Sequence, residues 1–586
     1  MRIVIGEGSC GLAAGAGSVH ARFEELLGAS NPAGVELGIT GCNGMCFLEP
    51  IVDVYDDEGA LHRLVKVQAK NVDAICEAVA ANDFSIVENL LITPEDEEFL
   101  TKQTRVALRH CGIIDPESID DYLAHDGYAA ITKILTEGLS QEDVIQQIDI
   151  AGLKGRGGAG FPTAFKWRAA RDSEGDQKYL ICNADEGDPG AFMDRAVIEG
   201  DPHSLIEGML IGAYCIGASE AIVYVRAEYP LAIVRLKKAI KDATERGYLG
   251  DNICGSNFSC KLRIKAGAGA FVCGEETALI ESLEGKRGMP RLRPPFPAQA
   301  GYWLKPSNIN NVETYANVAW IVSNGGAAFA AMGTENSKGT KVFALTGKIR
   351  RGGLVEIPMG KTLREVIFDI GGGIRDNKEF KAVQLGGPSG GCLPASKLDT
   401  IIDYKELTAT GAIMGSGGMV VMDENTCMVS MAKFFLNFTS SESCGKCIHC
   451  RLGMKRMYEV LERIVDGKGQ EGDIEKLEEL CNAIKDGALC GLGQTAPNPV
   501  LTTIRYFRDE FEAHIKEQRC PAGECRELIT YSIDPDTCTG CTACARACPA
   551  HAISGEKKQP HEIDPTLCTK CGNCRTACRF GAVVVE

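Results

Sequence analysis

Apolar and polar positions along the chain fall into blocks of different period. Over residues 1–85, VELGITGC and PIVDVY read as short strands and VDAICEAVAAN as a helix, which predicts a small α/β unit. Residues 86–145 are charged with helical spacing and read as a helical connector. Residues 146–335 are glycine-rich and alternate strand with helix. YLICN and AIVYVRAEY are buried-strand runs, and LAIVRLKKAIKDATERG has the stripe of an amphipathic helix. Residues 336–425 change character: KVFALTGKI, GLVEIPMGKTLREVIFDIGG and KAVQLGGPSG predict strands, turns and one short helix, a compact β-grasp-like module. Residues 426–515 return to helical spacing in MAKFFLNFT, MKRMYEVLERIVDG, IEKLEELCNAIK and LTTIRYFRDEFEAHI, which predicts a small bundle. Residues 516–586 begin with the linker EQRCPAGEC and continue as two similar cysteine-rich halves, an internal repeat.

Length and composition fit this multidomain α/β layout. The chain has 586 residues, 45% hydrophobic and 24% charged, enough for several cores. No run reaches the ~18 uncharged apolar residues of a membrane span, and MRIVIGEGSCG lacks the layout of a signal peptide. A cytoplasmic protein without a membrane partner is expected. A formal net charge of −17 speaks against nucleic-acid binding, which needs a basic surface.

Twenty-seven cysteines change the picture most. In a long cytosolic chain they point to metal rather than to disulfides. Scattered ones such as Cys76, Cys215 and Cys254 are expected to be ordinary thiols. The clustered ones are not. Cys538, Cys541, Cys544 and Cys548 spell C-x2-C-x2-C-x3-C, followed by Pro549, and Cys568, Cys571, Cys574 and Cys578 repeat the spacing. Three thiolates on one tight loop hold three corners of a [4Fe–4S] cube, and the fourth comes from the other half. One cube is therefore assigned to Cys538, Cys541, Cys544 and Cys578, the other to Cys568, Cys571, Cys574 and Cys548. Arg579 stands where proline usually follows the second motif. In ESCGKCIHC, Cys444, Cys447 and Cys450 form a third such loop, with Cys490 of LCGLG as its remote ligand.

Gly155, Gly157 and Gly160 in GLKGRGGAGFPTAFKW match G-x-G-x-x-G, but the preceding DVIQQIDIAG reads as a helix. A dinucleotide fingerprint needs a strand there, so an ordinary Rossmann site is rejected. Two readings of the loop stand: a flexible turn, or a backbone cradle for an anion ahead of a helix opened by Pro162. Downstream, ICNADEGDPGAF places Asn183, Asp185, Glu186 and Asp188 at the end of an apolar strand, where ligands bind in α/β folds. FVCGEETAL, RPPFPA and INNVETYANV follow with polar side chains beside glycine or proline.

These motifs and the cysteines resemble the NADH-binding flavoprotein subunit of respiratory complex I. They are still more similar to the corresponding subunit of soluble electron-bifurcating hydrogenases and transhydrogenases, over essentially the whole chain. The resemblance implies a thioredoxin-like N-terminal domain, a Rossmann-like FMN domain, a β-grasp (SLBB-like) domain, a helical bundle with a [4Fe–4S] cluster and a C-terminal ferredoxin domain with two more. It implies FMN against Gly155, Arg156, Gly157, Lys166, Asn183, Asp185, Glu186, Gly274, Glu275, Glu276, Asn310, Asn311 and Thr314. NAD(H) or NADP(H) is expected against Phe161, Asp188, Glu276, Arg293 and Phe296. Glu186 and Glu276 are the catalytic candidates, acting by fixing the cofactors. The chain departs from complex I at Phe271 (tyrosine there), Asp188 (glutamate) and Arg293 (often lysine), and at His449, where the family usually has proline. Asp188 and Arg293 leave the choice between NADH and NADPH open. The resemblance also implies partners: a small [2Fe–2S] thioredoxin-like subunit, a catalytic subunit of hydrogenase, transhydrogenase or formate dehydrogenase type, and ferredoxin.

Two cysteine sets stay ambiguous. The N-terminal region resembles a [2Fe–2S] domain that needs C-x4-C then C-x3-C, but Ile5 occupies the first position and only Cys10, Cys42 and Cys46 match. Either the cluster is absent or an atypical ligand completes it. Cys520 and Cys525, with His514 before them and Cys427 as the fourth candidate, read either as a zinc site or as unligated linker thiols. Functionally, three readings compete: a subunit of a bifurcating complex, a plain NADH dehydrogenase module with one acceptor, and a relay scaffold that has lost its flavin. The intact glycine loop and CGEET speak against the last, and the doubled C-terminal motif favours the first.

Overall fold

The computed structural model describes residues 1–29 and 34–585. The chain divides into two compact units: Met1–Asn377 with Val383–Val421, and Lys378–Ala382 with Met422–Glu586.

In the first unit, β1 (Arg2–Gly6), β2 (Glu36–Thr40), β3 (Val52–Tyr55) and β4 (Leu61–Leu64) form a sheet of order β2-β1-β3-β4. β1 runs parallel to β2 and antiparallel to β3. Ile3, Ile5, Val52 and Val54 face a core shared with Phe23 and Ile75 of the flanking helices.

The connector is helical only in part. Helices Pro94–Thr101, Ile119–Ala124 and Ala129–Glu137 flank residues 102–118, which form turns instead. There the backbone N–H groups of Ala107 and Leu108 donate to the Glu356 carboxylate, 2.9 Å each. Val106, Ala107, Leu108 and Cys111 join the main core. A side chain on a strand far along the chain thus satisfies donors that a helix would otherwise have used.

β5 (Tyr179–Ala184), β6 (Glu220–Arg226), β7 (Lys261–Gly267) and β8 (Ser307–Asn311) form a wholly parallel sheet of order β7-β6-β5-β8. Its strands are near-continuous apolar runs because helices such as Pro202–Ile216 and Pro230–Glu245 cover it. The chain steps from β5 outward to β6 and β7, then returns to the other side of β5 as β8. The order therefore reverses between β5 and β8, and a crevice opens at their carboxyl ends.

β9 (Thr340–Gly347), β10 (Gly353–Pro358), β11 (Phe380–Leu385), β12 (Gly391–Pro394) and β13 (Gly418–Asp423) make a third sheet, order β10-β9-β13-β11-β12. β9 is tied to the segment after β8 by a fully buried ion pair, Lys341 with Glu313. Glu313 also accepts from Val342 N at 2.9 Å, so neither charge is left unpaired in the interior.

In the second unit, helices Met428–Ser441, Met454–Val465, Asp473–Gly487 and Asn498–Tyr506 pack around Leu436, Met457, Leu461 and Leu477. The run LTTIRYFRDEFEAHI is not one helix. Phe507 leaves helical geometry (φ −136°, ψ 36°), and a new helix starts at Arg508–Glu512. The turn sends Glu510 and His514 to the start of helix Met428–Ser441, where Glu510 accepts from Met428 N at 3.0 Å. The tail adds two antiparallel strand pairs, Tyr531–Ile533 with Val583–Val585 and Ile553–Ser554 with Glu562–Ile563, and helices Ala543–Ala547 and Asn573–Ala577.

Candidate functional site

The crevice between β5 and β8 collects most of the residues that the motifs single out. Asn183 and Asn311 are register partners at the ends of the two strands. The glycine loop lies over them: Gly155 N donates to Phe161 O (2.8 Å), and Arg156 N to Thr314 Oγ1 (2.8 Å). A Cβ at Gly157 would stand 3.0 Å from the Asn311 Cβ, tight enough that a side chain there would crowd the strand end. The loop feeds helix Thr163–Asp172, whose Trp167 is fully buried and donates Nε1–H to Asn310 Oδ1 at 3.0 Å. That bond fixes the helix to β8. Trp167→Phe removes the donor and is expected to cost about 1 kcal/mol, read as a lower urea midpoint.

Several motif residues are committed to the protein itself. The Arg156 guanidinium is buried and donates to the carbonyls of Lys154, Lys338 and Thr340 at 2.8–2.9 Å, so its side chain braces the loop. Glu186 is buried. Its carboxylate accepts from Asp194 N (3.0 Å), Arg195 N (3.1 Å) and Tyr229 Oη (3.2 Å), which caps helix Met193–Gly200. Burial pushes its carboxyl up, against the pull of those donors. Asp194, on the same turn, is driven well above the carboxylate range by burial and by the Glu186 and Glu313 charges, and it accepts from Asn311 Nδ2 at 2.5 Å. Burial raises Asp188 to about 6, with Ser416 Oγ donating to it at 2.5 Å. Asn183 Nδ2 donates to Gly274 O (2.8 Å), bringing CGEET to the end of β5. Glu275 then caps helix Glu276–Leu283, accepting from Thr277 N and Ala278 N at 2.9 Å.

Glu276 is placed differently. It accepts from Lys166 Nζ (3.1 Å) on one oxygen and from Arg293 Nη1 (2.9 Å) on the other. Burial alone would raise it, but the two cations outweigh burial and hold it below the carboxylate range. Lys166 is fixed in turn by Ile309 O at 2.6 Å. This cluster stands on helix Thr163–Asp172, the CGEET helix and the loop after it, at the rim of the crevice. Phe161, Phe165 and Phe296 are each about half exposed or more (49%, 62% and 52%), and Phe161 and Phe165 meet edge to face at 5.6 Å. Exposed aromatic faces beside paired cations and a carboxylate suit a flat heterocycle carrying phosphate and ribose. Glycine backbone, amide side chains and cations at a strand-order reversal are also a donor set that fits FMN. The motif reading missed Asp194, Trp167 and Phe165. Phe165 carried a signal as an aromatic in the first turn of the helix that the glycine loop feeds.

Clustered thiols lie in the tail, the bundle, the linker and the N-terminal region. Cys538, Cys541, Cys544 and Cys578 line one cavity with Ile533 and Phe580. Cys578 belongs to the second motif, so residues of both halves line this cavity. In the bundle, Cys450 lies in the turn His449–Gly453 and Cys490 immediately precedes helix Gly491–Thr495. Burial and the neighbouring Cys490, Cys444 and Cys447 push Cys450 up to about 11, against a hydroxyl contact from Ser443. His449 packs over Gly487, where any Cβ would collide with its ring. Cys427, His514, Cys520 and Cys525 are all buried with ligand atoms within 4.8 Å of one another. His514 Nε2 stands 3.4 Å from Cys427 Sγ and 3.3 Å from Cys525 Sγ, and Cys427 and Cys525 are 3.5 Å apart. Its Nδ1 faces Glu510 O at 2.7 Å, which aims Nε2 at the sulfurs. Cys10, Cys42 and Cys46 form the last group, also within 4.8 Å, while Ile5 lies wholly in the core.

Residues 148–320 match the Nuo51 FMN-binding domain, 430–514 the iron–sulfur binding region of NADH-ubiquinone oxidoreductase-F, and 537–582 a 4Fe–4S dicluster domain. The chain is 62% identical over 460 residues to the NADP-reducing hydrogenase subunit HndC of Solidesulfovibrio fructosivorans, covering 78% of this chain and 93% of that one. It is 47% identical over 416 residues to the F 2 subunit of the NADH-quinone oxidoreductase of Rhizobium meliloti, 71% of this chain and 99% of that one. A crystal structure of an NAD+-reducing [NiFe]-hydrogenase in the H2-reduced state superposes with a TM-score of 0.62 at 32% identity, over 88% of this chain and 85% of that one. Among the described residues, no helix is long and apolar enough to cross a membrane. The chain belongs to the family of NADH-quinone oxidoreductase F subunits, which are flavin-dependent, iron–sulfur oxidoreductase components.

Proposed function

We propose that this chain is the NAD(P)H-oxidising subunit of a cytoplasmic, electron-bifurcating complex built around a hydrogenase, transhydrogenase or formate dehydrogenase type of catalytic subunit. A small [2Fe–2S] thioredoxin-like subunit and ferredoxin are its further partners. The observation that carries the reading is the crevice at the β5/β8 reversal, where the glycine loop and the Glu276 cluster meet. Among the catalytic types, the hydrogenase is favoured by the 62% identity to HndC. In domain terms the chain reads as a thioredoxin-like domain (1–85), connector (86–145), FMN domain (146–335), SLBB-like β-grasp domain (336–425), bundle (426–515) and ferredoxin-like tail (516–586).

FMN in this crevice supplies two-electron hydride uptake coupled to one-electron release. The chain's own residues do the rest. The glycine loop and Lys166 receive the phosphate, and Asn183, Asn310, Asn311 and Thr314 set the strand-end wall. Glu186 holds the loop 185–192 by capping the next helix. Phe161 and Phe296 flank the nicotinamide cofactor, and Asp188, Glu276 and Arg293 meet its ribose and phosphate groups. Cys444, Cys447, Cys450 and Cys490 hold the first acceptor cube, and the two interlocked sets of the tail hold the next two.

Flavin and metal quantification on the purified complex, with NADH and NADPH tested in parallel, checks this. About one FMN per chain is expected, and about twelve irons from this chain, four for each cube, beyond the two of the [2Fe–2S] subunit and those of the catalytic subunit. A complex without flavin, or one that neither nucleotide reduces, would sink the reading. The set Cys427, His514, Cys520 and Cys525 is proposed to hold zinc, because its separations of 3.3–3.5 Å fit ligands sharing one small tetrahedral ion. Cys520→Ser is expected to remove about one zinc per chain while leaving flavin and iron in place. Unchanged zinc in that variant would refute the site.

A further inference from the structure

The N-terminal thiols do not have the arrangement of a binuclear iron–sulfur site. Such a cluster divides four thiolates two and two between its irons, and holds sulfurs on different irons further apart than sulfurs on one. Here Cys10, Cys42 and Cys46 all lie within 4.8 Å of one another, and the Cys42 and Cys46 sulfurs are 3.6 Å apart. Two sulfurs sharing one tetrahedral ion at about 2.3 Å each would stand about 3.8 Å apart. The three thiols therefore converge on a single point. Ile5 cannot supply the missing ligand. It is an aliphatic side chain with no exposed surface, and its backbone is fixed between Ile39 of β2 and Val52 of β3.

Glu49 borders the trio but stands outside the point on which the sulfurs converge. Glu49 follows Cys46 by three positions, just past the short helix Cys46–Leu48. Its Oε2 accepts from Ile51 N at 3.0 Å. A Cβ on Gly11, the residue after Cys10, would stand 3.1 Å from that oxygen. A Cβ on Gly8 would stand 2.9 Å from the Cys42 Cβ. The glycines of GEGSCG thus let the turn that bears Cys10 press against both Cys42 and Glu49. Arg195 Nη2 lies 3.8 Å from Cys10 Sγ and brings one positive charge to an otherwise anionic group. Ser9, beside Cys10, donates through N (2.9 Å) and Oγ (2.6 Å) to Glu199. The group is thereby tied to helix Met193–Gly200, the helix that Glu186 caps.

We propose that Cys10, Cys42 and Cys46 bind one divalent metal ion, zinc by preference, with a solvent oxygen in the fourth tetrahedral position. Binding displaces the three thiol protons to solvent, and no electron is exchanged. Three thiolates carry three negative charges, which the ion and Arg195 together offset. The site clamps the turn at Cys10 to the loop 41–49, and through Ser9 and Arg195 it braces the helix behind the loop 185–192. In this chain the N-terminal lobe would then be a structural brace and not an electron relay.

The test is metal analysis of the intact complex, using Cys520→Ser to remove the linker zinc from the count. In that background about one zinc per chain is expected to remain, and adding Cys46→Ser should remove it with iron unchanged. Loss of about two irons in the Cys46→Ser variant would overturn the proposal in favour of a binuclear cluster, and so would an unchanged zinc count. Zinc-edge X-ray absorption on the Cys520→Ser complex needs no change at the N-terminal site. Three sulfurs and one oxygen are expected, with zinc–sulfur distances of about 2.3 Å; any other ligand set, or no zinc, overturns it. Failure of the linker site alone would show as a single zinc that Cys520→Ser does not affect and Cys46→Ser removes, so the two ideas fail separately.

Discussion

A chain ending at Ile529 is expected to keep its flavin and its bundle cluster, to be bleached by NAD(P)H at the wild-type rate, and to lose electron delivery to ferredoxin. The cut follows from the packing. Leu528 and Ile529 belong to the apolar core that also holds Cys427, Cys520 and Cys525, and Leu528 N donates to Cys525 O at 2.8 Å. A cut at the end of the cysteine linker, just after Cys525, would strip these residues from the bundle and confuse unfolding with a lost relay. From Tyr531 onward the tail is closed on itself, because strand Tyr531–Ile533 pairs with Val583–Val585. Removing residues 530–586 takes both partners together and exposes no half-sheet. The tail touches the retained segment through two hydrogen bonds, Arg526 to Thr569 O (3.0 Å from Nε) and Lys570 to Glu527 O (3.2 Å), and through Tyr531 and Val585, which pack against the edge of the bundle core. The measurement is flavin absorbance under NAD(P)H and ferredoxin reduction by the reassembled complex. Ferredoxin reduction at the wild-type rate would show that electrons leave the chain elsewhere.

What the sequence made legible, and what it hid, divides along the range of the forces involved. The parallel strands were legible because burial on both faces turns YLICN and AIVYVRAEY into unbroken apolar runs. The bundle helices were legible from their stripes. The grouping of Cys427 with Cys520 and Cys525 was open to the eye because sulfur has few alternative uses at such spacings. Residues 102–118 were not legible as turns: their donors are satisfied by Glu356, which no local pattern announces. The break at Phe507 was hidden for the same reason, since only the docking of Glu510 on Met428 makes it useful. In the crevice, motif spacing brought the right segments together but did not sort their members. Arg156 and Glu186 look like ligand-facing charges in sequence, yet carbonyls and helix-end N–H groups occupy them. Glu276, with the same sequence signal, sits at the rim between two cations.

That contrast makes Glu276 the sharper probe of chemistry. Glu276→Ala is expected to lower kcat/KM for NAD(P)H by about 150-fold, or about 3 kcal/mol, with an artificial electron acceptor as the readout. The carboxylate makes two charge-assisted hydrogen bonds, each of a kind that contributes about 1.5–3 kcal/mol. Without it, Lys166 loses its carboxylate partner and Arg293 keeps only Glu275 at 3.7 Å, so Arg293 shifts from the position at which it could meet phosphate. Lys166 stays tethered to Ile309 O, so the flavin wall should persist while the nicotinamide side is disordered. Glu276→Gln keeps one acceptor oxygen and should recover part of the loss, which a purely steric role would not predict. Iron content is the control. The cysteine sets lie in the second unit, so all three cubes should survive in the alanine variant. If iron fell in proportion to activity, Glu276 would be a folding residue and its place at the nucleotide would have to be given up.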